Sequence, residues 1–158
     1  MTKLMALAVA LLVAAPAYAQ TNINLGGIRA DSSAPVEVAA DSLSVDQDSG
    51  TAVFTGNVVV GQGDLRLSAG SVRVVYADET GDIAQLVASD GVTFVTDTEA
   101  AEAQNAVYNL ITGVLTLTGD VLLTQGASAL SAEQMTVNVN TGVAQMSGRV
   151  RTVFQQGD

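Results

Sequence analysis

Histidine, cysteine and tryptophan are absent from this chain of 158 residues, and its one lysine is Lys3. Without His, Cys or a later Lys, the commonest nucleophile–base pairs cannot be assembled. A thiolate or imidazole metal site cannot be built either, so no cofactor is expected. Disulfides play no part, whatever the compartment. Proline occurs only as Pro16 and Pro35, so nothing beyond residue 35 interrupts strand pairing. From residue 20 onward five Arg stand against 16 acids, a net charge of −11. Such a chain repels nucleic acid and anionic membrane surfaces. The acids are scattered, as on a solvated face, not gathered into a tail.

What is present begins with a targeting pattern. Lys3 precedes an unbroken apolar run, Leu4 to Ala15, followed by Pro16 and the small-x-small triplet Ala17 to Ala19. The run is shorter than the ~20 residues of a membrane-spanning helix. Residues 1–19 therefore read as a cleaved secretory signal peptide, with the mature chain starting at Gln20. Residues 20–35 are polar and Gly-rich and are expected to be a flexible leader. The remaining span, 36–158, has the length of one domain.

Beyond residue 35, apolar and polar residues alternate in short runs broken by Gly, Asn and Asp. That is the pattern of many short β-strands. The window Thr98 to Ala106, "TEAAEAQNA", could instead form one or two helical turns by propensity.

A repeat underlies the alternation. A unit of Ala, two residues, an apolar residue and a turn ending in Gly occurs from Ala40 to Gly50, Ala69 to Gly81, Ala103 to Gly113 and Ala132 to Gly142. Each is followed by a return strand with a second Gly and a Val: Gly56 and Val58, Gly91 and Val92, Gly119 and Val121, Gly148 and Val150. Thus "TGNVVVGQGDLRL" at Thr55 aligns without a gap on "TGDVLLTQGASAL" at Thr118. Repeats of this length mean stacked or rolled strand–turn–strand units. Alternation puts Ala52, Phe54, Val58 and Val60 on one face, with Val72, Val74, Tyr76, Ala106, Tyr108, Leu110, Leu115, Leu117, Val121, Leu123, Met135, Val137 and Val139. Gly56 and Gly119, in mid-strand, read as points of bend or close backbone approach. An antiparallel sheet rolled as a jelly roll, sandwich or open barrel fits.

The carboxylate pairs, Asp46 with Asp48 and Asp78 with Glu79, sit beside turn glycines, where acids are ordinary turn chemistry. "DQDSG" at Asp46 lacks the far-end ligand of a calcium loop, and "LGGIR" at Leu25 lacks the strand–helix context of a phosphate loop. Three features remain. The aromatics after the signal, Phe54, Tyr76, Phe94, Tyr108 and Phe154, are few and mostly inward. The segments Pro35 to Ser42 and Val150 to Gln156 are natural free edges, open to another chain. Arg149 and Arg151 lie one strand step apart, available to an anionic group.

The stretch Ala40 to Ala69, "ADSLSVDQDSGTAVFTGNVVVGQGDLRLSA", closely resembles the first half of LptA/OstA proteins, periplasmic carriers of lipopolysaccharide in Gram-negative bacteria. Ala101 to Gly126, "AEAQNAVYNLITGVLTLTGDVLLTQG", resembles the second half, and the likeness covers about residues 35–155. The signal peptide sets the chain apart from LptC, which keeps a membrane helix. The resemblance implies an all-β fold, an open, twisted antiparallel β-jelly roll, with an apolar groove for the acyl chains of lipid A. It implies no enzymatic activity, head-to-tail stacking of copies, and edge-strand contacts to LptC-like and LptD-like partners in outer-membrane biogenesis. On matching positions it places acyl-chain contacts at Val36, Val38, Phe54, Phe94, Tyr108, Leu110 and Leu117. The near-absence of Lys departs from what a phosphate-bearing headgroup would call for.

Two other classes are weighed against this. One is a secreted structural or adhesive β-repeat protein with a filled core. The other is a carboxylate-only glycosidase, which needs two acids facing each other inside the fold; periodicity points the acids outward.

Overall fold

The computed structural model describes residues 22–24 and 33–155. The expected signal peptide lies outside the described residues, as does most of the expected leader. The described chain is all strand and turn: β1 Asn22–Asn24, β2 Glu37–Ala39, β3 Ser42–Asp46, β4 Thr51–Gln62, β5 Leu65–Tyr76, β6 Ile83–Val95, β7 Glu99–Ala103, β8 Asn105–Asn109, β9 Val114–Gln125, β10 Ser128–Asn138, β11 Val143–Ser147 and β12 Arg151–Val153. All pairings are antiparallel. They join one sheet in the order β1-β11-β10-β9-β7-β6-β5-β4-β2, with β3 on β4, β8 between β6 and β9, and β12 on β10. The sheet rolls on itself as an open jelly roll, its inner faces forming one core.

Two expectations need correction. The window Thr98 to Ala106 holds β7 and β8, not helix. Its helical propensity is worth only tenths of a kcal/mol per residue, and the open edges of β6 and β9 on both sides offer it a full ladder of hydrogen bonds. The leader is not wholly outside the fold: Asn22–Asn24 pair with Val143 to Gln145 of β11. An unpaired edge is a template for any nearby extended segment.

Why the repeat exists is visible at mid-height of the sheet. On every second strand one extra residue is inserted. Thr55 and Val58 of β4 face Ser71 and Ala69 of β5. Ser89 and Val92 of β6 face the same two residues, and Thr118 and Val121 of β9 face Gln134 and Ala132. Between β11 and β12 the step from Ser147 to Arg151 spans Gln134 to Ser131. Each insertion is a β-bulge in which two successive residues take positive φ: Gly56–Asn57, Asp90–Gly91, Gly119–Asp120 and Gly148–Arg149. Bulges bend the strand and increase its twist, so four at one level crease the sheet into a roll. Gly, Asn and Asp adopt this backbone at least cost.

The strands between them carry the complementary mark. Their inward side slips by one residue at the crease, so that buried Ala69 is followed by Val72, Ala103 by Ala106 and Ala132 by Met135. This is the Ala-x-x-apolar repeat of the sequence. The residue over each crease, Asp41, Gly70, Gln104 or Glu133, packs against the bulge. Asp41 N donates to Gly56 O at 2.9 Å, Gln104 N to Gly119 O at 3.0 Å, and Glu133 N to Gly148 O at 2.9 Å. A Cβ on Gly56 would lie 3.0 Å from that of Asp41, on Gly119 2.8 Å from that of Gln104, and on Gly148 2.7 Å from that of Glu133. At the second crease the roles reverse: Gly70 faces Asp90, and a Cβ on Gly70 would lie 2.7 Å from the Asp90 Cβ. Each crossing has room for one Cβ.

The turns at one end repeat as well. Asp46, Asn109 and Asn138 each accept two backbone N–H bonds on the side-chain Oδ1, from residues two and three further on. These are Asx turns, closed by Gly50, Gly113 and Gly142. Asp46 and Asp48 are thereby turn residues. The N–H of Ser49 and then that of Asp48 hold the Asp46 carboxyl below the ordinary aspartate pKa.

Candidate functional site: the apolar interior and its two ends

The inward positions of all the long strands converge on one apolar core. Among the residues singled out from the sequence, Phe94, Tyr108 and Leu117 are buried in it. Phe94 lies between Leu67 and Ala101, Tyr108 between Leu86 and Leu115, and Leu117 between Ala106 and Met135. Val36, Val38, Phe54 and Leu110 are only partly buried and pack against the core from its margin. The seven residues therefore divide into a sealed group of three and a marginal group of four. With Phe94 and Leu117 at 0% exposure, the two walls touch. A guest in the interior would have to part them.

The place to part them is the β2–β3 edge. Among the described residues β3 pairs with β4 alone, and all five of its residues are exposed. Leu43 and Val45 stand opposite Phe54 and Ala52, on the inward face, yet are 54% and 62% exposed. Strand pattern identifies both as inward, but exposure at an edge depends on what lies across the roll. At the opposite edge, among the described residues, β12 likewise pairs on one side only, with Val153 and Phe154 exposed. Among the described residues β2 and β12, within the two segments expected as edges, lie at the margins of the sheet, the second margin shared with β1.

Arg149 and Arg151 border one surface depression together with Asp120 and Glu133. Arg149 pairs with Glu133 at 3.6 Å, both side chains being mostly exposed, an interaction worth at most ~1 kcal/mol. The exposed outer face also carries Arg66 and Arg73.

Periodicity points the acids outward, and one of them, Glu99, is instead buried. Glu99 is 4% exposed, and with Gln62 and Thr96 it makes up the buried polar side chains of the described chain. The signal was there: Glu99 shares its face of β7 with Ala101 and Ala103, which are inward. Thr96 Oγ1 donates to Glu99 Oε2 at 2.9 Å, the Thr98 hydroxyl donates to the same oxygen, and Gln125 Nε2 donates to Oε1 at 3.2 Å. Nearby in register, Gln62 Oε1 accepts from the Tyr108 hydroxyl at 2.9 Å, while its Nε2 donates to Ala34 O at 3.2 Å. Burial pushes the Tyr108 phenol above its ordinary pKa. Among the described residues no cluster of three or more acids could hold a metal ion, and no helix is long and apolar enough to cross a membrane.

An open antiparallel roll, creased at one level and enclosing an apolar interior, defines a class of β-jelly-roll proteins. The chain belongs to the LptA/OstA family: residues 37–143 match the family described as LptA/(LptD N-terminal domain) LPS transport protein. It is 32% identical over 152 residues to an uncharacterised protein of Rhizobium meliloti (strain 1021), covering 89% of this chain and 82% of that one. The fold is also that of the crystal structure of LptH, the LptA-homologous periplasmic component of the lipopolysaccharide transport device of Pseudomonas aeruginosa. The TM-score is 0.72 at 19% identity, over 80% of this chain and 99% of LptH.

Proposed function

We propose that this protein is a periplasmic carrier that takes the acyl chains of lipid A between the walls of its roll and passes lipopolysaccharide from the inner to the outer membrane. The observation that carries this is the β2–β3 edge, where the inward residues Leu43 and Val45 face solvent. An exposed apolar lining continuous with an apolar core suits a lipid tail, which gains about 0.8 kcal/mol per buried methylene. A tail of a dozen carbons therefore offsets the parting of many wall contacts. Val36, Val38, Phe54 and Leu110 meet the chains first, and Phe94, Tyr108 and Leu117 once the walls have separated. The free edges β2–β3 and β12 would join further copies head to tail, and LptC-like and LptD-like proteins at the ends of the row.

The full burial of Phe94 and Leu117 favours a second reading, a β-repeat protein with a filled core and no ligand. A photo-crosslinking residue at Tyr108, in cells making lipopolysaccharide, separates the two. The carrier gives a lipopolysaccharide adduct at Tyr108 and none at the outward Asp120. No adduct from Tyr108, Phe94 or Phe54 would make these residues ordinary core and end the carrier reading.

A further inference from the structure

The two margins of the sheet are of opposite kinds. Bulged and slipped strands alternate across it, so each interior slipped strand lies between two bulges. Gln104 is an example: its N–H donates to Gly119 O at 3.0 Å on one side, and its carbonyl accepts from Gly91 N at 3.2 Å on the other. The first margin, β2 through Asp41 to β3, is a slipped strand, with Ala40 and Leu43 in the Ala-x-x-apolar spacing. Asp41 meets the bulge of β4, and among the described residues no second bulge lies on its other side. The last margin, β11 through Gly148 and Arg149 to β12, is a bulged strand, and its bulge meets Glu133 on one side.

Side chains along the crease mark the same polarity. At three crossings the bulge residue and the slipped residue bond to each other: Asn57 Nδ2 donates to Asp41 Oδ2 at 2.9 Å, Gln104 Nε2 donates to Asp120 Oδ2 at 3.0 Å, and Arg149 pairs with Glu133 at 3.6 Å. Where the other bulges place Asn57, Asp90 and Asp120 at positive φ, the last places Arg149. The crease thus begins on an acid, Asp41, and ends on a cation.

The first margin of a second copy therefore complements the last margin of this one, and the crease sets a single register. Val92 opposite Ala103 and Ala88 opposite Ala106 flank the Asp90–Gly91 bulge. The equivalent pairs put Val150 opposite Ala40, Met146 opposite Leu43 and Ala144 opposite Val45 of the second copy. Leu43 and Val45, exposed in the single chain, then stand beside the buried Met146 and Ala144, and the apolar lining runs on from copy to copy. Part of that ladder is already taken. β1 holds the rungs of Val143, Ala144 and Gln145, with Ile23 opposite Ala144.

Resting on the carrier reading and its stacking, we infer that β1 is a displaceable stand-in for β3 of a second copy, holding the joint closed until that copy arrives. A head-to-tail joint that does not close into a ring grows without limit, and an occupied edge resists such growth. When β1 leaves, the second copy's edge adds to the sheet, with Arg149 reaching its Asp41 carboxylate.

Sedimentation velocity of the exported protein, at about 0.1 M salt where surface charges are still felt, measures self-association. Ile23→Pro and Asn24→Pro are made together. Successive N–H groups along a strand point to opposite sides, so one of the two substitutions removes a ladder donor from β1 whichever way it faces. Association tightens about tenfold, the scale of one or two net hydrogen bonds. Arg149→Glu and Asp41→Arg each weaken it about fivefold, and the two in one chain restore it to within about twofold. The proline variant acts on β1 alone and decides the question if a charge variant fails to fold. A proline variant that associates no more tightly than the native chain overturns the inference. Folded charge-exchanged protein that does not regain association overturns it too, as does a lack of self-association in every variant. The lipopolysaccharide adduct at Tyr108 is read separately, so each of these failures leaves the carrier reading standing.

Discussion

The crease predicts a specific coupling between Gly70 and Asp90. Alanine at position 70 would put its Cβ 2.7 Å from the Asp90 Cβ and 3.0 Å from the Asp90 carbonyl oxygen. Carbon atoms in contact prefer about 3.5–4.0 Å, and neither opposing atom can swing away as the end of a long side chain could. Overpacking costs about 1–3 kcal/mol, and Gly70→Ala belongs at the upper end, about 3 kcal/mol. Asp90 has φ 64°, a backbone that Gly adopts freely, so Asp90→Gly alone changes stability by no more than about 0.5 kcal/mol. The double variant loses the shorter contact and keeps the one to the carbonyl oxygen. It should recover about 2 of the 3 kcal/mol, within the range seen for residues in contact. Gly91→Ala is the control: its φ is +81° with nothing within 4 Å of the new Cβ, so it costs only the left-handed strain of about 1–2 kcal/mol. Urea denaturation reads all of these as shifts of the midpoint at constant slope. A coupling below about 0.5 kcal/mol would be ordinary additivity. Exclusion of a second Cβ would then not be the reason each crossing keeps a glycine.

Two more outcomes follow from the interior polar groups. Gln62→Leu strands the buried Tyr108 hydroxyl and should cost about 1–3 kcal/mol, most of it recovered on adding Tyr108→Phe, because an unpaired buried group costs more than a missing pair; denaturation of the two single variants and the double variant checks this. Burial raises the Tyr108 pKa in the folded state, so the stability it confers is complete below the unfolded value near pH 10 and is lost as pH rises beyond it; Tyr108→Phe should flatten the alkaline limb of the stability–pH curve, and an unaltered limb would contradict the assignment.

The amino-acid order determined a great deal. Strict alternation in "TAVFTGNVVV" and "VLTLTGDVLL" sets strand and inward face, because side chains on a strand have a period of two. The positions of Gly50, Gly113 and Gly142 behind Asp or Asn set the turns. The Gly-Asn, Asp-Gly, Gly-Asp and Gly-Arg steps encode the bulges, and the Ala-x-x-apolar spacing records the slip of the facing strands. These are local backbone matters, legible without knowing what packs where. Tertiary structure alone decided the rest. Ala100 to Ala103 became strand because β6 and β9 left a gap that a short strand fills. Leu43 and Val45 carry the same inward pattern as Val72 and Val74, yet the first pair is exposed and the second buried. The difference lies in what faces them across the roll. Glu99 lies inside because its strand register leaves it no other side, and partners 26 residues away in the chain, such as Gln125, make its burial tolerable. Periodicity assigns a face to a residue; only the closure of the sheet assigns that face to solvent, to core or to a guest.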